Sequence, residues 1–383
     1  MNKQITYPDY NNCITGISSS ILKHYGAEPA NVTLPALDEA LAAEYKNILF
    51  IIYDGMGSDI LSDLLPKRSF LRRNIKSRIT SVFPPTTVAA CTAYYSGQTP
   101  VEHGWLGWSL YFKEYDKQID VFTEREARTG VLSGHENTAN TFMPYESIYS
   151  KIETAAPGVK TFSLYPRGID RESRPETVIG YDSLEDMHDK IKGLCKAEGS
   201  KFILAYHNEP DHLAHVNGYW TREVKENVKL INRSTGKLCR KLSDTLVIIS
   251  ADHGYIDINK DIFLEEIPEL SNMLLRPPSM EPRAVSLFVK PGTEDTFREA
   301  FNRILGDEFI LFSREEVFEK NLFGFGNPHP KALDFIGDFI AAAKGQALLR
   351  YRIPDQAVNI EFLAHHAGLT AAEMHVPLII VKT

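Results

Sequence analysis

The sequence predicts an α/β fold: a mostly parallel central sheet flanked by helices, with a small α/β subdomain inserted before the last core strand. Three observations predict it. Short apolar, β-branched runs of strand length recur along the chain and alternate with stretches of helical period. Asp54, Asp211 and Asp252 fall just past such runs, where open α/β sheets bind their ligands. Between about residues 257 and 355 the pattern changes and a Pro-rich stretch interrupts it.

The elements follow in chain order. The run 46–53 stops at Asp54-Gly55 and reads as a buried, central, parallel strand. A helix is expected over 58–65 with Ser58 as its cap. Ser81-Val82-Phe83 reads as a second strand ending in Pro84-Pro85, and 88–96 as a helix stopped by Gly97. Strands at 159–164 and 201–207 flank an amphipathic helix at 184–197. A long helix over 221–242 leads to a strand at 245–250, which ends at Ala251-Asp252-His253-Gly254. Residues 276–282 form a loop, 284–289 a strand, 294–305 a helix and 332–343 a further helix. A strand at 375–381 closes the chain. The core domain is thus expected at 1–256 and 356–383, with 257–355 inserted.

Composition narrows the partners. Lys and Arg number 42 against 50 Asp and Glu, a formal net charge of −8. That balance offers a nucleic-acid polymer no basic stripe, but a small anionic substrate can still bind where metal ions supply local positive charge. Cys13, Cys91, Cys195 and Cys239 are scattered, which suggests neither a thiolate zinc site nor a disulfide framework. With no stretch of signal-peptide type at residues 1–8 and no run of membrane-span length, a reducing, cytoplasmic home without a membrane partner is expected.

Four segments carry chemistry. In Tyr53-Asp54-Gly55-Met56-Gly57 a carboxylate at a strand end, followed by glycines, can approach a metal without crowding; taken alone it also reads as a turn Asp. In Phe83-Pro84-Pro85-Thr86-Thr87 a hydroxyl sits where a helix begins and backbone N–H groups favour an anion, although Thr86 or Thr87 also suits a plain helix cap. In Asp211-His212-Leu213-Ala214-His215 a helical turn puts Asp211 and His215 on one face, a ligand pair for zinc or manganese; a solvated polar turn reads equally well, and His207 and His212 are decoys nearby. Asp252-His253-Gly254 presents adjacent carboxylate and imidazole from one loop, and one of the late histidines, His365, His366 or His375, can complete a site. Together these supply about the donors that two ions need.

In that order the motifs resemble the alkaline phosphatase superfamily, and more narrowly its type I phosphodiesterase/nucleotide pyrophosphatase branch. The resemblance runs from Asp54 to the C-terminus. It implies an alkaline phosphatase-like fold and two divalent metal ions, zinc or else manganese. Asp211, His215 and His366 would hold the first ion; Asp54, Asp252 and His253 would hold the second, with Thr87 as its hydroxyl ligand and as nucleophile. Thr87 is chosen over Thr86 because it stands ten residues before Gly97, the family's spacing. His366 is chosen over His365 because His366-Ala367-Gly368 fits the family's H-G-G pattern with Ala367 in place of one glycine. Two departures stand out. Val88-Ala89-Ala90 replaces the Phe-Pro-Asn that follows the nucleophile in nucleotide-cleaving members. Trp108 stands by spacing where those members carry a phosphate-contacting asparagine.

The resemblance implies cleavage of phosphodiester or pyrophosphate bonds in a small phosphorylated substrate through a phospho-threonine. A phosphomonoesterase or phosphonate hydrolase is the alternative, and an inactive metal-stabilised binding protein the alternative of another class. A sulfatase is disfavoured because Cys91-Thr92-Ala93-Tyr94-Tyr95 lacks the C-x-P-x-R pattern. Trp105, Trp108 and the tyrosines are expected chiefly in the core rather than around a substrate.

Overall fold

The computed structural model describes residues 5–135, 137–169, 177–352 and 362–383. Seven strands form the central sheet: β1 (Asn47–Tyr53), β2 (Ile75–Thr80), β3 (Val159–Pro166), β4 (Thr177–Tyr181), β5 (Ser200–His207), β6 (Thr245–Ser250) and β7 (His375–Lys382). Their spatial order is β2-β7-β6-β1-β5-β3-β4. β7 is antiparallel to both neighbours, and the other pairings are parallel. The mixed α/β architecture expected from the alternating runs is the one observed.

β1 and β6 are buried at every residue, which is why they read as unbroken apolar runs. Flanking helices bury one stripe each. The helix Arg222–Cys239 buries Val224, Val228, Ile231 and Leu238, and Thr221 caps it by accepting from the Val224 amide. The helix Leu184–Lys196 buries Leu184, Met187, Ile191 and Cys195 under a Ser183 cap.

The register positions the chemistry. Tyr53 lies opposite His207 and Ile52 opposite Ser250, so β1, β5 and β6 end level with one another. The loops beyond them touch because side chains are missing there. A Cβ on Gly57 would lie 2.6 Å from Gly254 Cα, and one on Gly254 would lie 2.0 Å from the Ala372 carbonyl oxygen.

A second seven-stranded sheet runs Phe309–Ser313, Phe339–Ala343, Ala284–Leu287, Ser279–Glu281, Ser109–Phe112, Lys117–Asp120, Arg125–Glu126. It draws strands from 109–126 as well as from 279–343. The expected core boundary between 355 and 356 lies outside the described residues.

Several local expectations are corrected. The strand is Ile75–Thr80 rather than 81–83: it pairs with β7, and its first four residues alternate between partly buried and exposed, so polar side chains hide the signal. Residues 332–343 do not form one helix. Pro330–Phe335 is helical, and Phe339–Ala343 is a fully buried strand between two partners, where tertiary pairing overrides the helix propensity of alanine. The Pro-rich stretch expected as a loop contains the strand Ser279–Glu281. Ser58 is the first residue of its helix, and Gly57 takes the cap position. Among the described residues no helix is long and apolar enough to cross a membrane.

Candidate metal centre

Three level strand ends bring the carboxylates together. Asp54 follows β1 directly, and its Oδ2 accepts from the Tyr206 hydroxyl of β5. Asp252 stands two residues past β6, where its Oδ1 accepts from the backbone amides of Gly55 and His253, each at 3.0 Å. Asp211 opens the short helix Asp211–Asn217 beyond β5. Thr87 is the first residue of the helix Thr87–Ser96, which Gly97 ends at φ +74°.

His253 sits at the middle. Its Nε2 lies 3.3 Å from Thr87 Oγ1, 3.4 Å from Asp54 Oδ1 and 3.4 Å from Asp252 Oδ2. The His366 ring stacks on the His253 ring at 3.7 Å between centroids. Donor atoms of Asp54, Asp252 and His253 lie within 4.8 Å of one another, as do those of Asp211, His253 and His366. His215 reaches the group through Asp211, with Nε2 3.2 Å from Asp211 Oδ2, and its ring is 5.2 Å from that of His366. All seven expected side chains therefore meet in one place. The decoys His207 and His212 do not join them: His207 turns to the Tyr181 hydroxyl at 2.9 Å and His212 is exposed. His365 stands beside the group, its ring 4.9 Å from that of His215 and 5.0 Å from that of His366, with its Nδ1 2.9 Å from both the amide and the carbonyl of His366.

The histidines are oriented from behind. His215 Nδ1 lies 2.9 Å from the Ala364 carbonyl, His253 Nδ1 3.0 Å from that of Gly254, and His366 Nδ1 3.1 Å from that of Pro85. A carbonyl only accepts, so each Nδ1 carries the proton and each Nε2 is left to offer its lone pair toward the centre.

The electrostatics fit cations. Burial, then the charges of Asp252 and Asp211, pushes the Asp54 carboxyl well above its ordinary range. Burial also pushes Asp211 up, but the adjacent His215 outweighs it and holds this carboxyl at about 2, while Asp211 raises His215 against its own burial. His366 is driven well below its ordinary value by burial and then by its imidazole neighbours, so it stays neutral, the form that ligates. Asp54 Oδ1 and Asp211 Oδ1 accept no hydrogen bond among the described residues. Buried carboxylate oxygens without donors, crowded by like charges and faced by neutral imidazole nitrogens, suit divalent cations.

Thr86 does not cap its helix. It holds the cap position with extended backbone, yet its hydroxyl donates to Glu281 Oε1 at 2.7 Å. Trp108 donates its amide to the same oxygen, also at 2.7 Å. Burial pushes the Glu281 carboxyl from an ordinary 4.5 up to about 7, against the hydrogen bonds from Thr86 and Trp108. A carboxyl raised in the folded state contributes stability that is full below about 4.5 and is lost as pH rises through about 7. Relative to E281Q, the metal-free wild type should lose on the order of 3 kcal/mol between pH 4 and pH 8.5, read by urea unfolding at each pH. A difference that is flat with pH would contradict the shift.

The turn carrying His366 rests on a buried ion pair. Arg283 and Glu373 are both fully buried, with Nε 2.7 Å from Oε1 and Nη2 2.8 Å from Oε2. Glu373 also accepts from the Gly368 amide at 2.7 Å and the Thr370 hydroxyl at 2.6 Å. Ala367 adopts φ +91°, which explains why the family pattern has glycine there.

A cavity of about 1230 Å³ opens from the centre. Its wall includes Tyr95, Trp105, Trp108, Tyr145 and Tyr165, so these aromatics face the cavity rather than belonging only to the core. Glu281, Arg283, Glu373 and Tyr206 escaped the sequence reading. The first two lie in or beside a stretch read as a loop, Tyr206 lies within a strand run, and only the T-x-x-E spacing of Thr370 and Glu373, a capping box, could have marked Glu373 as anything but a surface charge.

A family model described as type I phosphodiesterase / nucleotide pyrophosphatase matches residues 48–367. No curated protein sequence matches the chain. Among solved structures, murine ectonucleotide pyrophosphatase/phosphodiesterase 5 superposes with a TM-score of 0.65 at 18% identity, covering 88% of both chains. Its human counterpart gives 0.66 at 18% identity, covering 88% of this chain and 87% of that one. An inactive threonine-to-alanine variant of the murine protein was solved with AMP. Phosphonoacetate hydrolase from Sinorhizobium meliloti, in complex with phosphonoformate, gives 0.61 at 14% identity, covering 87% and 89%.

Proposed function

Because the chain belongs to the type I phosphodiesterase/nucleotide pyrophosphatase family of metal-dependent hydrolases, we propose that it cleaves phosphodiester or pyrophosphate bonds with Thr87 as nucleophile. The observation that carries this is the Thr87 hydroxyl at a helix start, 3.3 Å from His253 Nε2 and beside two carboxylate–imidazole groups. In this reading Asp211, His215 and His366 hold one divalent cation and Asp54, Asp252 and His253, with Thr87, hold a second, zinc or else manganese. Bound cations would lower the pKa of the hydroxyl and neutralise charge building on the phosphoryl oxygens.

The residues do the rest. The first turn of the helix Thr87–Ser96 turns unpaired backbone N–H groups toward an anion. Thr87 Oγ1 bonds to phosphorus as the bond to the leaving oxygen breaks, and the hydroxyl proton departs with the released alcohol. Water then cleaves the phospho-threonine and restores the hydroxyl. The aromatic wall takes the organic part of a small phosphorylated substrate. Four buried cysteines, none of them in a disulfide, support a reducing, cytoplasmic location.

The test is a substrate panel. Bis-p-nitrophenyl phosphate should be hydrolysed with zinc or manganese present and not after chelation, and p-nitrophenyl phosphate and a phenylphosphonate ester should be slower. Metal-loaded protein that turns over none of the three would favour a binding role instead.

A further inference from the structure

Glu281 is a carboxylate that the metal centre does not use, yet it borders the same cavity as Thr87 and His215. It is 6% exposed. Its Oε1 is saturated by two donors, the Thr86 hydroxyl and the Trp108 amide, and these fix the plane of the group. Its Oε2 has no hydrogen-bond partner among the described residues, and it is not sealed in the interior either. The free oxygen therefore opens to cavity space, and Glu281 borders both the cavity of the metal centre and a smaller one of about 210 Å³ beside it.

The placement is built rather than incidental. The preceding residue, Met280, holds φ +88°, a backbone conformation that is strained for a side chain with a Cβ. Gly107 is needed to admit the strand: a Cβ there would lie 2.6 Å from Met280 Cγ and 3.2 Å from Glu281 Cγ. The charge of Glu281 is felt at His215. Opposing positive charge is scarce, since Arg125 is the one lysine or arginine among the described residues that line the cavity.

We propose that Glu281 is a specificity-determining residue: its carboxylate, held by the Thr86 hydroxyl beside Thr87, disfavours a phosphoryl group with two negative charges and so favours diesters over monoesters. The proposal rests on the phosphoesterase reading above. Its logic is that of two like charges brought close in a partly desolvated site, a cost that a singly charged diester pays once and a dianionic monoester pays twice. The Trp108 backbone amide is spent on holding this carboxylate.

E281Q tests it. Glutamine keeps the length and can still accept from Thr86 and Trp108 while removing the charge. At pH 8.5, with the activating metal, the ratio of kcat/KM for p-nitrophenyl phosphate to that for bis-p-nitrophenyl phosphate should rise about tenfold or more over wild type. Calorimetry gives a readout that needs no turnover. The Kd of phenyl phosphate, a dianion, should fall at least about fivefold in E281Q relative to that of methyl phenylphosphonate, a monoanion of similar size. Ratios within twofold of wild type in both experiments, or equal losses for both esters, would overturn the role of Glu281. If wild type hydrolyses neither ester, the phosphoesterase reading fails by itself, and the calorimetric pair still decides whether Glu281 selects on charge. Should E281Q not fold, E281M, uncharged and of like length, carries the same measurements.

Discussion

Replacing Thr87 by alanine is expected to lower kcat on a diester by about 10⁴-fold or more while metal content and thermal midpoint stay near wild type. In the proposed mechanism the hydroxyl forms the bond to phosphorus, whereas the other proposed cation ligands are six different side chains, so reactivity and metal retention should separate. T87S should keep measurable turnover, because it retains a hydroxyl at the same helix start. T86A provides the contrast. Its hydroxyl is engaged with Glu281 at 2.7 Å, and its loss should cost less than about tenfold. A T87A protein with kcat within tenfold of wild type would remove the nucleophile assignment, and metal lost from T87A would blur it.

The second large effect is structural. E373Q should destabilise the protein by about 3–5 kcal/mol, because it leaves the fully buried Arg283 guanidinium without its counter-charge. The remaining acceptors of Arg283, the carbonyls of Ala347 and Gly345 at 2.7 and 2.8 Å, satisfy N–H groups but carry no net charge. Glu373 also ties down Gly368 and Thr370, so hydrogen exchange at the Gly368 amide should quicken and the His366 turn should loosen. Urea unfolding of E373Q beside the double variant R283M/E373M separates charge from packing. The double variant should recover much of the loss, since a buried pair is often replaceable by apolar groups of similar size although breaking it is costly. A single variant within 1 kcal/mol of wild type would show that the pair matters little.

How much of this was legible depends on what each residue must do locally. Asp54, Asp211 and Asp252 could be read because strands buried on both faces announce themselves as apolar runs, and a carboxylate just beyond one is conspicuous. Thr87 could be told from Thr86 only through the family resemblance, whose spacing puts the nucleophile ten residues before Gly97; the local residues alone allow either as a plain cap. Phe339–Ala343 could not be read as a strand, since its partners are 284–287 and 309–313 and alanine by itself argues for helix. Ile75–Thr80 was hidden by an alternating edge pattern. Glu281 and Arg283 were invisible for a different reason. Their partners, Thr86 and Glu373, are 195 and 90 residues away, and no local spacing records a contact of that range.

That long reach has a consequence for how the centre comes into being. The hydrogen bond orienting His366 spans 281 positions, to Pro85, and the one Asp252 accepts from the Gly55 amide spans 197. Asp54, Asp252 and His253 are all present once residue 253 is made, but His366 is not, so in the proposed reading the site that includes His366 must wait until nearly the whole chain has closed on itself. Occupancy of the site that includes His366 should therefore gauge complete folding, because closing the C-terminal segment supplies its last imidazole.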